Sequence, residues 1–223
     1  MTFQLFNKLA SLEGVALYLL IGAALLFAAL LVFAILSERK RQSARINKPD
    51  KTRALVYGAL CLSLSFVLSY IKLFSMPFGG SITLASMLPL VVYASFFGPP
   101  YGFAAAFAYA LLQIVQGVWI VHWAQFILDY FVAFTCLGLA SLLPRRLPLG
   151  MAVAGFSRML VSTVSGAIFF ASAGLDYGIA SPWLYSFAYN GLTIGIDTII
   201  CLVITFIPAF RRMTARIMPT FLL

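Results

Sequence analysis

The chain has 223 residues, 63% of them in the apolar and aromatic set and only 9% of them Asp, Glu, Lys or Arg. Soluble domains run near half apolar and about a quarter charged. This composition excludes a water-soluble enzyme, a disordered tail and a disulfide scaffold, and it predicts an integral membrane protein. The net charge of +9 falls in short basic clusters between apolar runs, which is orientation information rather than a nucleic-acid footprint.

Val15 to Ser37 carries no charge and is long enough to span a bilayer. Its basic flank follows it, whereas a cleaved signal peptide has its positive charge first. It therefore reads as a retained helix with its N-terminus outside. Residues 1–37 form this extra transmembrane segment, 38–53 a basic cytoplasmic linker, and 54–223 the main membrane domain. Ala54 to Ile71 is the next span. From Leu73 to Leu128 there is no Asp, Glu, Lys or Arg, a stretch too long for one helix. Pro77, Gly79 and Gly80 mark a loop there, Gly98, Pro99, Pro100 and Gly102 a turn, and Gly117 a third break. Helices are predicted near 84–97, 102–116 and 121–142. After the basic loop Pro144-Arg-Arg-Leu-Pro148 come helices near 151–172 and 184–209, then a basic tail. The fold expected is all-α: one helix, then a bundle of six. With the linker placed in the cytoplasm, alternation puts 12 of the 15 Lys and Arg residues on that side, as the positive-inside rule requires. The C-terminus is then cytoplasmic.

Polar groups in hydrocarbon are costly and usually face a bundle interior or a cavity. His122, Gln125 and Asp129 lie at i, i+3 and i+7, on one helix face. Arg158, Ser162 and Ser165 form a second face, and Ser186, Asn190, Thr193 and Asp197 a third. Tyr109, Gln113 and Gln116 add to them from the preceding helix. At about 1.5 Å per residue, Asp129 lies roughly 12 Å below the outer end of its helix. Gln113, Gln116, His122, Gln125, Tyr185 and Asn190 belong to the outer halves too, and His122 is a further candidate ligand group. These residues predict a polar cavity open to the outside, with Trp119, Phe170 and Trp183 at its mouth. Arg158 and Asp197, deeper and at matching depth on neighbouring helices, are expected to form a buried ion pair. Asp129 lacks such a counter-charge, so it is the candidate ligand group for a cation, among aromatic rings suited to the same charge. The small residues Ala54 and Gly58 give one helix face on which another helix can sit closely, either inside the bundle or on a partner subunit.

Cys61, Cys136 and Cys201 are far apart, and the chain has one histidine. No metal site or cofactor is expected. No phosphate-binding G-x-x-x-x-G-K-[ST] loop, G-x-S-x-G or H-E-x-x-H occurs, and few chemistries remain with six acids in the chain. A binding protein is expected, not an enzyme. A structural membrane protein whose polar stripes only glue helices together is the bland alternative.

Four stretches in order resemble one family. Met76-Pro-Phe-Gly-Gly-Ser-Ile-Thr-Leu84 with Met87-Leu-Pro-Leu90 resembles the loop and second helix of ThiT, the thiamine-specific S component of energy-coupling factor (ECF) transporters. Gln125-Phe-Ile-Leu-Asp-Tyr-Phe-Val-Ala-Phe134 with Gly138-Leu-Ala140 resembles its fourth helix. Ser165-Gly-Ala-Ile-Phe-Phe170 resembles its fifth, and Trp183-Leu-Tyr-Ser-Phe-Ala-Tyr-Asn-Gly191 its sixth. The resemblance spans about 54–210. It implies a six-helix S-component bundle in a prokaryotic plasma membrane, with an outward-facing thiamine pocket under the first loop. It also implies three separate partner chains, a transmembrane coupling subunit and two ATPases, with the Ala54 and Gly58 face as the candidate for docking the coupling subunit. Asp129 falls where the family has the acid that meets the aminopyrimidine, and Tyr185 and Asn190 where a pair on the last helix reads the same ring. Trp119 falls near the thiazolium, and Phe170 where an aromatic stacks. Two departures stand out. Ser162 occupies the place of a family histidine, which leaves a thiamine precursor or another small vitamin-like nutrient as an alternative ligand. The helix 15–37 has no counterpart in the six-helix pattern.

Overall fold

The computed structural model describes residues 50–222 apart from residue 145. The helix predicted over 15–37 and most of the linker 38–53 lie outside the described residues. What is described is mostly helical, and it includes four helices long and apolar enough to cross a membrane.

Helix α1 spans Lys51–Tyr70, and Asp50 caps it by accepting a hydrogen bond from the Thr52 amide at 3.1 Å. The sequence pattern predicts a loop after it. The structure instead has a short antiparallel hairpin of β1 (Lys72–Ser75) and β2 (Ser81–Thr83), pairing Lys72 with Thr83 and Ser75 with Ser81. Strands this short give no readable alternation, so the sequence hides them. The turn between them places Phe78 at φ 61° and Gly79 at φ 87°. Glycine adopts this left-handed region freely, whereas Phe78 is held in it at some cost.

Helix α2 (Leu88–Phe97) begins later than the predicted 84, because β2 and a left-handed Ala85 at φ 55° occupy the preceding residues. Gly98 at φ 88° ends α2, and α3 (Pro99–Gln116) starts at once with Pro99 and Pro100 in its first turn. Helix α4 (Trp123–Leu142) changes pitch along its length. It holds a π turn at Ile127–Val132 and a 3-10 end at Cys136–Leu142. Helix α5 (Leu147–Phe169) begins about a turn before the predicted 151, since Pro148 fits the first helical turn rather than closing a loop. A 3-10 segment, Ala171–Tyr177, leads to α6 (Pro182–Phe206), which is broken by a second π turn at Gly191–Gly195. The basic tail is itself helical: α7 (Pro208–Leu222) leaves α6 at an extended Ile207, the conformation favoured before proline.

The bundle has a solid end and a hollow end. The solid end is packed by Leu90, Val91 and Ala94 of α2, Ala105 and Ala106 of α3, Leu137 and Ala140 of α4, Met151 and Ala154 of α5, and Cys201 of α6. Gly138 lets α4 touch α3 there, since a Cβ would lie 2.9 Å from the Phe103 Cα. The side away from the core is apolar too. Leu60, Leu64, Val115, Phe156, Ile199 and Val203 are all exposed, as surfaces meant for lipid require.

Candidate functional site

The hollow end encloses a cavity of about 200 Å³, walled by the hairpin, α3, α4, α5 and α6. Asp129, Tyr185, Asn190, Trp119, Phe170, Gln125 and Ser162 all line it, so seven of the eight residues singled out for binding are brought together.

Gln125 organises the wall around Asp129. Its Nε2 donates to Asp129 Oδ2 at 2.7 Å and to the Trp119 carbonyl at 3.1 Å, while its Oε1 accepts from the Val121 amide at 3.2 Å. Every polar atom of that side chain is used, so one buried amide fixes both the carboxylate and the loop that carries Trp119. The Tyr130 hydroxyl accepts from the Trp119 amide at 2.9 Å and secures the same loop. Asp129 sits inside the π turn of α4. Such turns widen a helix locally and are frequent at functional sites.

On the opposite wall, Asn190 donates from Nδ2 to the Ser186 carbonyl at 2.9 Å and to Ser186 Oγ at 3.3 Å. Its carbonyl oxygen takes part in neither bond. Ser186 in turn donates to the Thr163 carbonyl at 2.7 Å, which ties α6 to α5. Gly166 allows this approach, because a Cβ there would collide with Ser186 Oγ. Tyr185 is stacked on Tyr177 at 5.9 Å.

The mouth is aromatic. The Phe78 ring lies 6.1 Å from Trp119 and 5.7 Å from Phe170. Trp183 does not line the cavity. Tyr189 holds the hairpin in place: its hydroxyl accepts from the Gly80 amide at 2.9 Å and donates to the Pro77 carbonyl. Sequence reasoning missed Tyr189, although its place four residues after Tyr185 and four before Thr193 puts it on the same helix face. Thr83, Ser86 and Phe78 were missed too, because they belong to the hairpin and the turn beyond it.

Three expectations are corrected. His122 does not line the cavity. It stands in extended conformation ahead of α4, where its Nδ1 accepts from the Ala124 amide at 3.1 Å, and it stacks on Phe169 at 5.2 Å. It is an N-cap, outside the helical periodicity that seemed to align it with Asp129. Arg158 and Asp197 do not form an ion pair: among the described residues the only one within 4.0 Å joins Arg53 and Asp50. Arg158 instead lays its guanidinium 4.1 Å over the Phe134 ring, and Asp197 accepts from the Thr83 hydroxyl at 2.9 Å. Finally, Ala54 and Gly58 are covered by the chain's own α2. The Tyr93 hydroxyl donates to the Ala54 carbonyl at 2.9 Å, and a Cβ on Gly58 would lie 3.0 Å from that hydroxyl. The small residues make room for a tyrosine, so that face is not open to another subunit. Among the described residues no three His, Cys, Asp or Glu side chains gather to hold a metal ion.

The family model "Thiamine transporter protein (Thia_YuaJ)" matches residues 55–217. The chain belongs to that family. Among curated proteins it is similar to the thiamine transporter ThiT of Bacillus subtilis, 25% identical over 177 residues that cover 71% of this chain and 91% of that one. Among solved structures it resembles ThiT from Listeria monocytogenes with a TM-score of 0.57 and 20% identity, over 72% of this chain and 97% of that one. At that identity the structural likeness speaks for the fold. The matched span covers the bundle with its cavity and stops short of the segment 15–37.

Proposed function

We propose that this chain is the membrane-embedded substrate-binding subunit of an ECF-type transporter, capturing thiamine from outside the cell for uptake. The observation that carries the reading is Asp129, held by Gln125 in the wall of an aromatic-mouthed cavity and, among the described residues, without a cationic partner within 4.0 Å. Counted as ionised, the charges that line the cavity on α4, α5 and α6 are Asp129, Asp197 and Arg158, a sum of −1, and the fourth lining charge, Lys72, lies exposed on the hairpin. A monocationic ring neutralises that sum, and the faces of Phe78, Trp119 and Phe170 suit a thiazolium by cation–π attraction. The remaining carboxylate oxygen of Asp129 suits the amino group of a pyrimidine, with Asn190 and Tyr185 on the facing wall.

Uptake against a gradient needs energy, and the sequence has no nucleotide-binding loop. ATP hydrolysis is therefore assigned to two separate ATPase subunits, joined to this one by a transmembrane coupling subunit. The bundle α1 to α6, with the extra helix 15–37 before it, is placed as a multi-pass protein of a prokaryotic plasma membrane, N-terminus outside and α7 on the cytoplasmic face, where Arg211, Arg212 and Arg216 satisfy the positive-inside rule. Ser162, in the place of the family histidine, favours a second reading in which the ligand is a precursor or a related heterocycle.

The test is titration of the purified full chain with thiamine, its separate pyrimidine and thiazole halves, and unrelated vitamins, following quenching of Trp119. Saturable quenching by thiamine that is lost in Asp129→Ala supports the proposal. No response to thiamine at millimolar concentration, with a response to one half alone, moves the assignment to a precursor. No response to any of them removes the vitamin reading.

A further inference from the structure

Asp197 stands seven residues after Asn190 on α6, about 10 Å further along the helix, and with Arg158, Thr83, Ser86 and Tyr109, which line the same cavity, it forms the floor. Asp197 is only 3% exposed. Its Oδ2 accepts from Thr83 at 2.9 Å, and Thr83 is itself bonded to Ser86 at 2.7 Å. Among the described residues its Oδ1 has no hydrogen-bond partner, and neither has the buried Nε of Arg158. No Arg158 nitrogen lies within 4.0 Å of a carboxylate oxygen of Asp197 or Asp129.

Burying a carboxylate oxygen and a guanidinium N–H without partners costs more than a typical hydrogen bond returns. Two such atoms, a strong acceptor and a strong donor on residues that line one cavity, mark a place where something else completes the bonding. The charges restrict what that is. A cation at the carboxylate is repelled by Arg158, and an anion at the guanidinium is repelled by Asp197. A neutral group that both gives and takes a hydrogen bond satisfies both atoms at once.

We propose that Asp197 and Arg158, with Thr83 steering the carboxylate, form a second subsite at the cavity floor that takes a neutral donor–acceptor group of the ligand, either a hydroxyl or the amino edge of a neutral heterocycle. This rests on the reading of the cavity as a small-molecule site and deepens it: Asp129 answers the positive charge, and the floor reads a neutral polar group at another point of the same molecule. Thiamine has two groups of that chemistry: the hydroxyl of its hydroxyethyl arm, which is free when Asp129 meets the pyrimidine amine, and that amine itself when Asp129 meets only the thiazolium charge.

The experiment is a mutant cycle on the full chain in detergent, read by Trp119 quenching. Wild-type and Asp197→Asn proteins are titrated with thiamine, with an analogue carrying ethyl in place of hydroxyethyl, and with one lacking the pyrimidine amine. Asp197→Asn is expected to weaken thiamine about tenfold and to change one of the two analogues by less than about twofold; that analogue identifies the group on the floor. Equal weakening of all three ligands, or none for thiamine, overturns the subsite and leaves Asp197 as the anchor of Thr83 alone. Thr83→Val, which frees the other carboxylate oxygen, gives a second arm should Asp197→Asn fail to fold. It must weaken thiamine more than the same analogue, and equal effects overturn the proposal. Thiamine binding that depends on Asp129 but shows no such coupling defeats the floor subsite only, whereas no thiamine response in wild-type protein defeats both readings.

Discussion

Tyr189→Phe isolates what holds the hairpin over the cavity. The substitution keeps the ring and removes one hydroxyl, which accepts from the Gly80 amide at 2.9 Å and donates to the Pro77 carbonyl. These two bonds, with the contacts of Phe78 to Trp119 and Phe170, are what join the hairpin tip to the rest of the mouth. A net hydrogen bond contributes about 0.5–1.5 kcal/mol, so losing two costs about 1–3 kcal/mol. Tyr189 is only partly buried, and water replaces part of what is lost, so about 1–2 kcal/mol is expected. That range corresponds to about 5- to 30-fold more frequent opening of the hairpin. Hydrogen exchange reads it directly, because the Gly80 amide loses its acceptor. Its exchange should quicken by that factor while amides in the middle of α2 keep their rates. Thiamine dissociation, followed by recovery of Trp119 fluorescence, should quicken in proportion. A Gly80 amide that exchanges within about twofold of the wild-type rate would refute the argument that this hydroxyl anchors the hairpin.

Asp129→Asn should weaken thiamine binding by about 1.5–3 kcal/mol, the worth of a charge-assisted bond. The thermal midpoint should stay nearly unchanged, because an amide oxygen still accepts from Gln125; an affinity within twofold of wild type refutes the role given to the charge. His122→Ala should lower stability by about 1 kcal/mol through loss of the N-cap and leave ligand affinity unaltered, and a large affinity loss in titration would return His122 to the site. Gly138→Ala should destabilise the bundle by about 1–3 kcal/mol, because the new methyl would lie 2.8 Å from Phe103 Cδ1 and 2.9 Å from its Cα, and the backbone atom cannot turn aside. Unfolding in detergent checks this, and an unchanged midpoint counts against the close α3–α4 contact.

The parts of the site that were legible in the sequence lie on long helices. Gln125 with Asp129, and Ser186 with Asn190, Thr193 and Asp197, repeat at helical spacing, and in an apolar chain such stripes point inward because lipid offers their polar atoms no partner. His122 shows where helical spacing ceases to inform. Its spacing from Gln125 is correct, but it stands one residue before the helix, where spacing no longer fixes direction. Matching depth rightly placed Arg158 and Asp197 near one another. It could not show that Thr83, from a three-residue strand more than a hundred positions away in sequence, already bonds the carboxylate. For Ala54 and Gly58 the pattern revealed a close approach without saying whether the visitor is a separate chain or, as here, Tyr93.

Neither π turn was legible, and both contribute residues to the cavity wall. π-helix makes up well under 1% of residues in ordinary folds. Here two such turns line one cavity, at Ile127–Val132 in α4 and at Gly191–Gly195 in α6. The first carries Asp129, and the second begins one residue after Asn190. An inserted residue loosens the local backbone bonding and pushes one turn outward, a cost that a purely structural bundle has no reason to bear twice at the same level. The solid end, built from Ala94, Ala105, Ala106, Ala140 and Ala154, shows that this chain packs helices tightly where nothing needs to enter. The hollow end departs from that rule at the residues whose polar atoms are aimed inward, so the empty space is built into the helices themselves rather than left over from poor packing.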